Sequence, residues 1–329
     1  MKKLAATSVI LALSLSTFMS PQAQAATPVI CLAYDTGGPG DGSFNDAAQA
    51  GLKVAAKNLQ FTLETTVTSG DAKDRIDRIT ALVKKDCTIV IAVGTGYAAT
   101  LKDLSQQFPE TQFAILNDAT VDALNVTSIV FADIQGAYLA GYAAALASKS
   151  GKVAMVGYAS QKDLFERGFV PGAKAARKAI VTTVRYVTAS TSVATSSLLR
   201  SSHDVIFLAT TGSATEAFNT VVASNNSNRN KAASGIITVE PDQFLSVTSS
   251  TKKFVFATIV KRVDLALIDL LTKTLEGSSL YDEIDPALGV YGYRYGIADK
   301  SIEITLRSPA LIAKTAKINS ASIAASKIN

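Results

Sequence analysis

The chain has 329 residues, 48% of them hydrophobic, with 32 Lys and Arg against 27 Asp and Glu, one His, two Cys and no Trp. That length and apolar content can fill more than one core, so two lobes are the natural expectation. A formal charge of +5 carried by scattered basic residues argues against a nucleic-acid surface, and one histidine with two separated cysteines could scarcely build a metal centre.

Met1 to Ala25 opens with two lysines, runs apolar from Leu4 to Leu15 and ends in Ala23-Gln24-Ala25, the pattern of a secretory signal peptide over residues 1–25. It is too short to span a bilayer once its flanks are discounted, and no later apolar run reaches that length. The chain is expected to be exported, and loss of Lys2 and Lys3 lowers its formal charge from +5 to +3. Cys31 lies past the inferred cut and is poorly placed to be a lipidated N-terminal residue.

Val29 to Tyr34 is an apolar run of strand length, followed by Asp35 and a turn rich in glycine (Gly37, Gly38, Gly40 and Gly42). Ser43 with Asp46 reads as a capping box, and Phe44, Ala48, Leu52 and Ala55 recur at helical spacing. Asp35, Phe44 and Asn45 are thus brought to the carboxyl end of a parallel strand, where open α/β sheets bind ligands. A phosphate loop would look similar, but no Lys-Ser or Lys-Thr closes this one, and Asp35 and Asp41 would repel a phosphate. On periodicity alone Phe44 reads equally well as a core residue.

Strand and helix then alternate. Phe61 to Val67 is a strand and Asp71 to Lys85 a helix; Thr88 to Val93 is a β-branched strand ending in Gly94-Thr95-Gly96, and a helix runs from Tyr97 to Phe108. Phe113 to Leu116 is a buried strand with Asn117 and Asp118 at its end, and Ser128 to Ala132 is another. Gln135 to Lys149 is a helix whose Ala and Gly faces allow close packing. A second series follows: strand Lys152 to Gly157, helix Phe165 to Ala179, strand Thr183 to Val187, strand Asp204 to Ala209 ending in Thr210-Thr211-Gly212, a helix capped by Ser213, a polar loop Ser224 to Ser234, and strand Gly235 to Val239 ending in Glu240-Pro241-Asp242-Gln243. Phe254 to Ile259 brings the chain back, Lys261 to Leu275 is an amphipathic helix, and two short strands lie between Leu288 and Leu306. His203 is expected at the surface. Two matched series with polar strand ends imply two lobes facing a cleft, 26–132 and 133–257, with a return segment 258–287 and a tail 288–329 mainly on the second lobe. Cys31 and Cys87 fall near neighbouring strands of a flavodoxin-like order, so a disulfide and a pair of buried thiols both stay open.

Taken with Tyr138-Leu139-Ala140-Gly141, Gly151-Lys152-Val153, Phe165-Glu166-Arg167-Gly168-Phe169, Asp204-Val205-Ile206 and Lys261-Arg262-Val263-Asp264, the Asp35-Thr36-Gly37 and Ser43-Phe44-Asn45 motifs resemble the basic membrane protein family of purine-nucleoside receptors that serve ABC importers. The resemblance implies an α/β fold of the type I periplasmic binding protein kind, two Rossmann-like lobes with parallel sheets joined by three crossovers. It implies a non-catalytic monomer with a nucleoside ligand, a permease partner and no cofactor. Phe44 and Phe165 would stack on opposite faces of the base, with Phe169 packing inside and an exchange of the two left open. Asn45, Asn117 and Asp118 could read the base edge; Asp35, Glu240 and Asp242 could accept from ribose hydroxyls, Lys261 could donate, and Gly212 would let backbone approach the sugar. The family usually has aspartate directly after the Phe113 strand, where Asn117 stands here, and its lipidation cysteine is absent, so a diffusible periplasmic receptor is expected. A receptor for another polar solute such as a sugar, and an exported enzyme on a Rossmann-like scaffold, are the alternatives; neither Gly94-Thr95-Gly96 nor the opening loop completes a dinucleotide fingerprint.

Overall fold

The computed structural model describes residues 26–210, 215–228, 232–241, 243–278, 280, 283–285 and 288–328; the inferred signal peptide, Gly212 and Asp242 lie outside them. The first lobe alternates β1 (Val29–Tyr34), α1 (Phe44–Asn58), β2 (Thr62–Val67), α2 (Ala72–Val83), β3 (Ile89–Val93), α3 (Ala98–Gln107), β4 (Phe113–Leu116) and β5 (Val126–Phe131). α4 (Asp133–Ala147) leads to the second: β6 (Lys152–Tyr158), α5 (Glu166–Ala176), β7 (Val181–Val187), α6 (Ser192–Arg200), β8 (Val205–Ala209), α7 (Thr215–Ser227), β9 (Gly235–Thr238), the short α8 (Gln243–Ser246) and α9 (Ser249–Lys252), and β10 (Val255–Lys261). The remainder is α10 (Val263–Leu275), β11 (Ile284–Asp285), β12 (Val290–Tyr295), β13 (Ile302–Leu306), α11 (Pro309–Ile312) and α12 (Thr315–Ala325).

The strands that read as continuous apolar runs are the central ones, because helices cover both faces of a parallel sheet. β1, β3 and β4 are buried almost throughout, whereas β2 and β7, at the outer side of each sheet, are half-exposed. The first sheet is ordered β11-β12-β5-β4-β3-β1-β2 and the second β13-β10-β9-β8-β6-β7, so each lobe repeats the same flavodoxin-like order of five parallel strands. Cys31, on β1, and Cys87, just ahead of β3, are joined in a disulfide with Cα atoms 5.8 Å apart. A loop of this size contributes about 4 kcal/mol on the chain-entropy account.

The tail departs from the sequence expectation. β10 belongs whole to the second sheet, so the return to the first lobe starts at Arg262 rather than at residue 258. β12 pairs in parallel with β5 of the first lobe, while β13, α11 and α12 stay with the second lobe and α4. The physical reason is that both β5 and β10 would otherwise be bare edges, and the tail supplies one covering strand to each. Three crossovers result: Ala132, Arg262 and the turn between β12 and β13. They are tied together, since Ala132 N–H donates to the Tyr295 carbonyl at 2.8 Å and Arg262 N–H to that of Ser301 at 2.8 Å. Gln135 braces the same place, accepting from Ile297 N–H at 2.9 Å and donating to the Ile328 carbonyl at 3.0 Å.

α6 was not foreseen because Ser and Thr fill its exposed side, and α7 extends into the expected polar loop. α4 meets α5 closely: a Cβ added at Gly141 would lie 2.0 Å from the Phe169 carbonyl oxygen.

Candidate functional site

A cleft of about 610 Å³ opens between the carboxyl ends of the two sheets, within the usual range for a small-molecule site. The turn between β1 and α1 forms its first wall. The capping box expected from Ser43 and Asp46 is not formed. Instead the Asp41 carboxylate accepts from the N–H groups of Ser43 (2.7 Å), Asn45 (3.2 Å) and Asp46 (3.2 Å), and Asp46 accepts from Gly40 and Gly42. An acid there satisfies the free amides of the first turn and complements the helix dipole. Asn45 is buried beside it, accepting from Asp35 N–H at 3.0 Å and donating to the carbonyls of Asp35 and Thr36. Its amide therefore holds the loop, and the residue borders the cleft. The outcome of this bracing is that Phe44 is half-buried with its ring lining the cleft.

Asp35 reaches the cleft with its charge already matched. Oδ1 accepts from Arg75 Nη2 at 2.6 Å and from Thr36 N–H, while Oδ2 makes no hydrogen bond among the described residues. Gly94, at φ 94°, makes room for that oxygen, since a Cβ there would lie 3.2 Å from Oδ2. Arg75 is further fixed by the Gly70 carbonyl and lies over the Tyr97 ring at 5.3 Å. Burial, and then the charge of Asp35, push the Tyr97 hydroxyl pKa up, and this hydroxyl donates to the Tyr34 carbonyl at 2.8 Å. Sequence alone missed Arg75: it sits on an exposed-looking helix, and only the pairing of β1, β2 and β3 carries it to Asp35.

At the rear of the cleft Asn117 and Asp118 take different places. Asn117 follows β4 at φ 63°, a left-handed conformation that Asn tolerates, and its side chain lines the cleft. Asp118 is buried away from the cleft, where Oδ1 accepts from Thr120 N–H at 2.7 Å and from the Thr120 hydroxyl at 2.6 Å, so it holds a turn. Lys261 is the last residue of β10 rather than the first of a helix. Its side chain is 1% exposed at the border of the cleft, with Nζ paired with Asp133 Oδ1 at 2.7 Å and donating to Asn117 Oδ1 at 3.2 Å. A buried ammonium without such a partner would cost several kcal/mol. Asp133, which opens α4, was legible only as the exit from the first lobe.

The second lobe contributes Ser160, Gln161, Leu164 and Glu240. Leu164 is 41% exposed, and Gln161 Oε1 is buried without a hydrogen-bond partner among the described residues. Glu240 is buried at φ 111°, a conformation that strains a residue with a side chain by about 1–3 kcal/mol, and Ser43 of the other lobe donates to its Oε2 at 3.4 Å. The expected sandwich of two rings is not present. Phe165 is 2% exposed and meets Phe207 edge-on at 6.0 Å, with Lys261 Nζ 5.9 Å from its ring. Phe169 is fully buried and stacks on Phe207 at 5.7 Å, so exchanging the two phenylalanines does not restore a second wall. Tight packing of α5 on α4 draws both rings into the core. His203 is buried rather than at the surface: its ring nitrogens lie 3.2 Å from the Leu198 carbonyl and 2.9 Å from Thr183 Oγ1, and burial pushes its pKa down.

The cleft thus offers one apolar flat wall, carboxylates at one side and amide and ammonium groups at the rear, the chemistry of a polar ligand with a flat part. Among the described residues no helix is long and apolar enough to cross a membrane.

A family model described as ABC transporter substrate-binding protein, PnrA-like, matches residues 29–328. A CD4+ T-cell-stimulating antigen of Listeria innocua is 32% identical over 75% of this chain and 74% of its own length. An ABC transporter nucleoside-binding protein, BmpA, of Lactococcus lactis is 28% identical over 74% of each. A solved ABC transporter solute-binding protein from Conexibacter woesei superposes with a TM-score of 0.66 at 17% identity, over 92% of this chain and 98% of that one, a likeness of fold.

Proposed function

We propose, from the premise that this chain belongs to the Bmp family of PnrA-like ABC transporter substrate-binding proteins, that it is an exported receptor which binds a purine nucleoside between its lobes and delivers it to a membrane permease. The observation that carries the reading is the pairing, in one interlobe cleft, of the Phe44 ring with acceptors and donors at the ends of both sheets. A base laid on Phe44 gains about 1–3 kcal/mol from stacking. Leu164, from the other lobe, supplies the apolar cover that Phe165 does not. Ribose hydroxyls are donors, and Asp35 Oδ2 and Glu240 face the cleft to accept them through charge-assisted bonds. Gln161 Oε1 is a further acceptor in want of a donor. The similarity to a protein named as nucleoside-binding points the same way.

In this reading the open form admits the ligand, the lobes turn about the three tied crossovers, and the closed form is what the permease recognises. The chain acts as a monomer without a cofactor. Calorimetry and thermal shift with purine nucleosides, pyrimidine nucleosides, free bases and pentoses test it. Adenosine, inosine or guanosine should raise the melting temperature and bind more tightly than free base or free pentose. Stabilisation by a pentose alone would make this a sugar receptor instead.

A further inference from the structure

Resting on the nucleoside reading, we infer that Asn117 is a specificity-determining residue: it presents hydrogen-bond donors to the cleft and so selects a purine whose facing edge carries a bare ring nitrogen, as adenine does at N1, over one that carries N–H there, as hypoxanthine and guanine do.

The orientation of an Asn amide is normally settled by its partners, because oxygen and nitrogen look alike. Here the partner leaves one choice. The ammonium of Lys261 is paired with Asp133 at 2.7 Å and can only donate, so the Asn117 atom 3.2 Å from it is the oxygen. Turning the amide over would set N–H groups against an ammonium that is shut away from water. The backbone is held as well, with Asn117 N–H bonded to the Ile129 carbonyl at 2.7 Å. Oδ1 is therefore committed to the hinge, and Nδ2 has no hydrogen-bond partner among the described residues while its side chain lines the cleft. Lys261 ends a strand of the second sheet, Asp133 opens a crossover and Asn117 ends a strand of the first, so the tie that sets the amide is the one that joins the lobes.

An aspartate at this position would have the opposite character. An ionised carboxylate only accepts, so it would welcome the N1–H of a 6-oxopurine and repel the N1 lone pair of adenine. One residue would thus convert the edge preference, with Lys261 still able to pair with the new carboxylate. Left-handed backbone suits Asn, Asp and Gly alike, so Asn117→Asp and Asn117→Gly are both compatible with φ 63°.

The test is calorimetry of adenosine, inosine and guanosine on the full mature chain and on these two variants, each checked for an unchanged melting temperature without ligand. The native chain should favour adenosine over inosine, and Asn117→Asp should move the adenosine-to-inosine ratio toward inosine by roughly tenfold or more. Asn117→Gly should weaken all three and bring the ratio near one. A native preference for inosine, or a ratio that neither variant moves while nucleosides still bind, overturns the assignment of Asn117 and leaves the receptor reading standing. A native chain that binds no nucleoside overturns both.

Discussion

Phe44 and Phe165 hold matching places in the two lobes, each at the start of the helix that follows the first strand of its sheet, and they end in opposite environments. Phe44 lines the cleft; Phe165 is in the core against Phe207. The difference lies in what holds each helix. α1 is fixed at its tip by Asp41, Asp46 and Asn45, a polar network that leaves the leading ring outside. α5 is fixed along its length by backbone contact with α4, where Gly141, Gly168 and Gly172 remove the side chains that would keep the helices apart. One lobe therefore presents a braced aromatic wall, and the other presents Leu164, Gln161 and Glu240.

Truncating the two rings gives the largest contrast. Phe165→Ala should lose about 3–5 kcal/mol of stability by leaving a core cavity, read from denaturant unfolding, with little change in ligand affinity of the folded fraction. Phe44→Ala should reverse the pattern, weakening nucleoside binding by about 1–3 kcal/mol in calorimetry with a small change in melting. Equal effects on stability would mean that the rings are equivalent after all. Asp41→Ala removes the cap that braces the wall, and about 1 kcal/mol of stability should go with it. Amide exchange should rise first in residues 36–46.

The smallest effect is a difference in acid response between the lobes. His203, the one histidine of the chain, is buried in the second lobe with its pKa below the ordinary 6.5, so the unfolded chain takes up a proton first. Stability from this group is complete above 6.5 and falls as the pH drops from there toward the folded value. Asp74 of the first lobe is held at about 2 by the Ser69 amide, the Thr68 hydroxyl and Arg78, and so stays ionised through that window. Its own contribution is complete above the ordinary 3.8 and is lost as pH falls from there through about 2. Hydrogen exchange compared at about pH 7.5 and pH 5.5 should therefore quicken in β7, α6 and β8 before it does around α2.

The order of strands and helices was readable because buried parallel strands are short apolar runs and the covering helices are amphipathic, as at Val29–Tyr34 and Ile89–Val93. α6 escaped because its inward residues, Thr195 and Leu198, are too few and too mixed to announce a periodicity. Of the candidate site residues, Asp35, Phe44, Asn117, Glu240 and Lys261 are brought together at the cleft. Asn45 also reaches it but with its amide committed to the loop, and Asp118, Phe165 and Phe169 are turned to turn-holding and packing. Arg75, Asp133 and Gln161 were not foreseen, since each gains its meaning from a partner distant in the chain.

The sequence by itself determined the two lobes and the strand ends at which a ligand could meet polar groups, because hydrophobic periodicity and glycine turns are local properties. Tertiary structure alone decided which ring faces the cleft, which of two adjacent residues points into it, and which way the Asn117 amide is turned. Those outcomes depend on how closely α5 meets α4 and on where the Lys261 ammonium finds Asp133, distances between segments that no local pattern encodes.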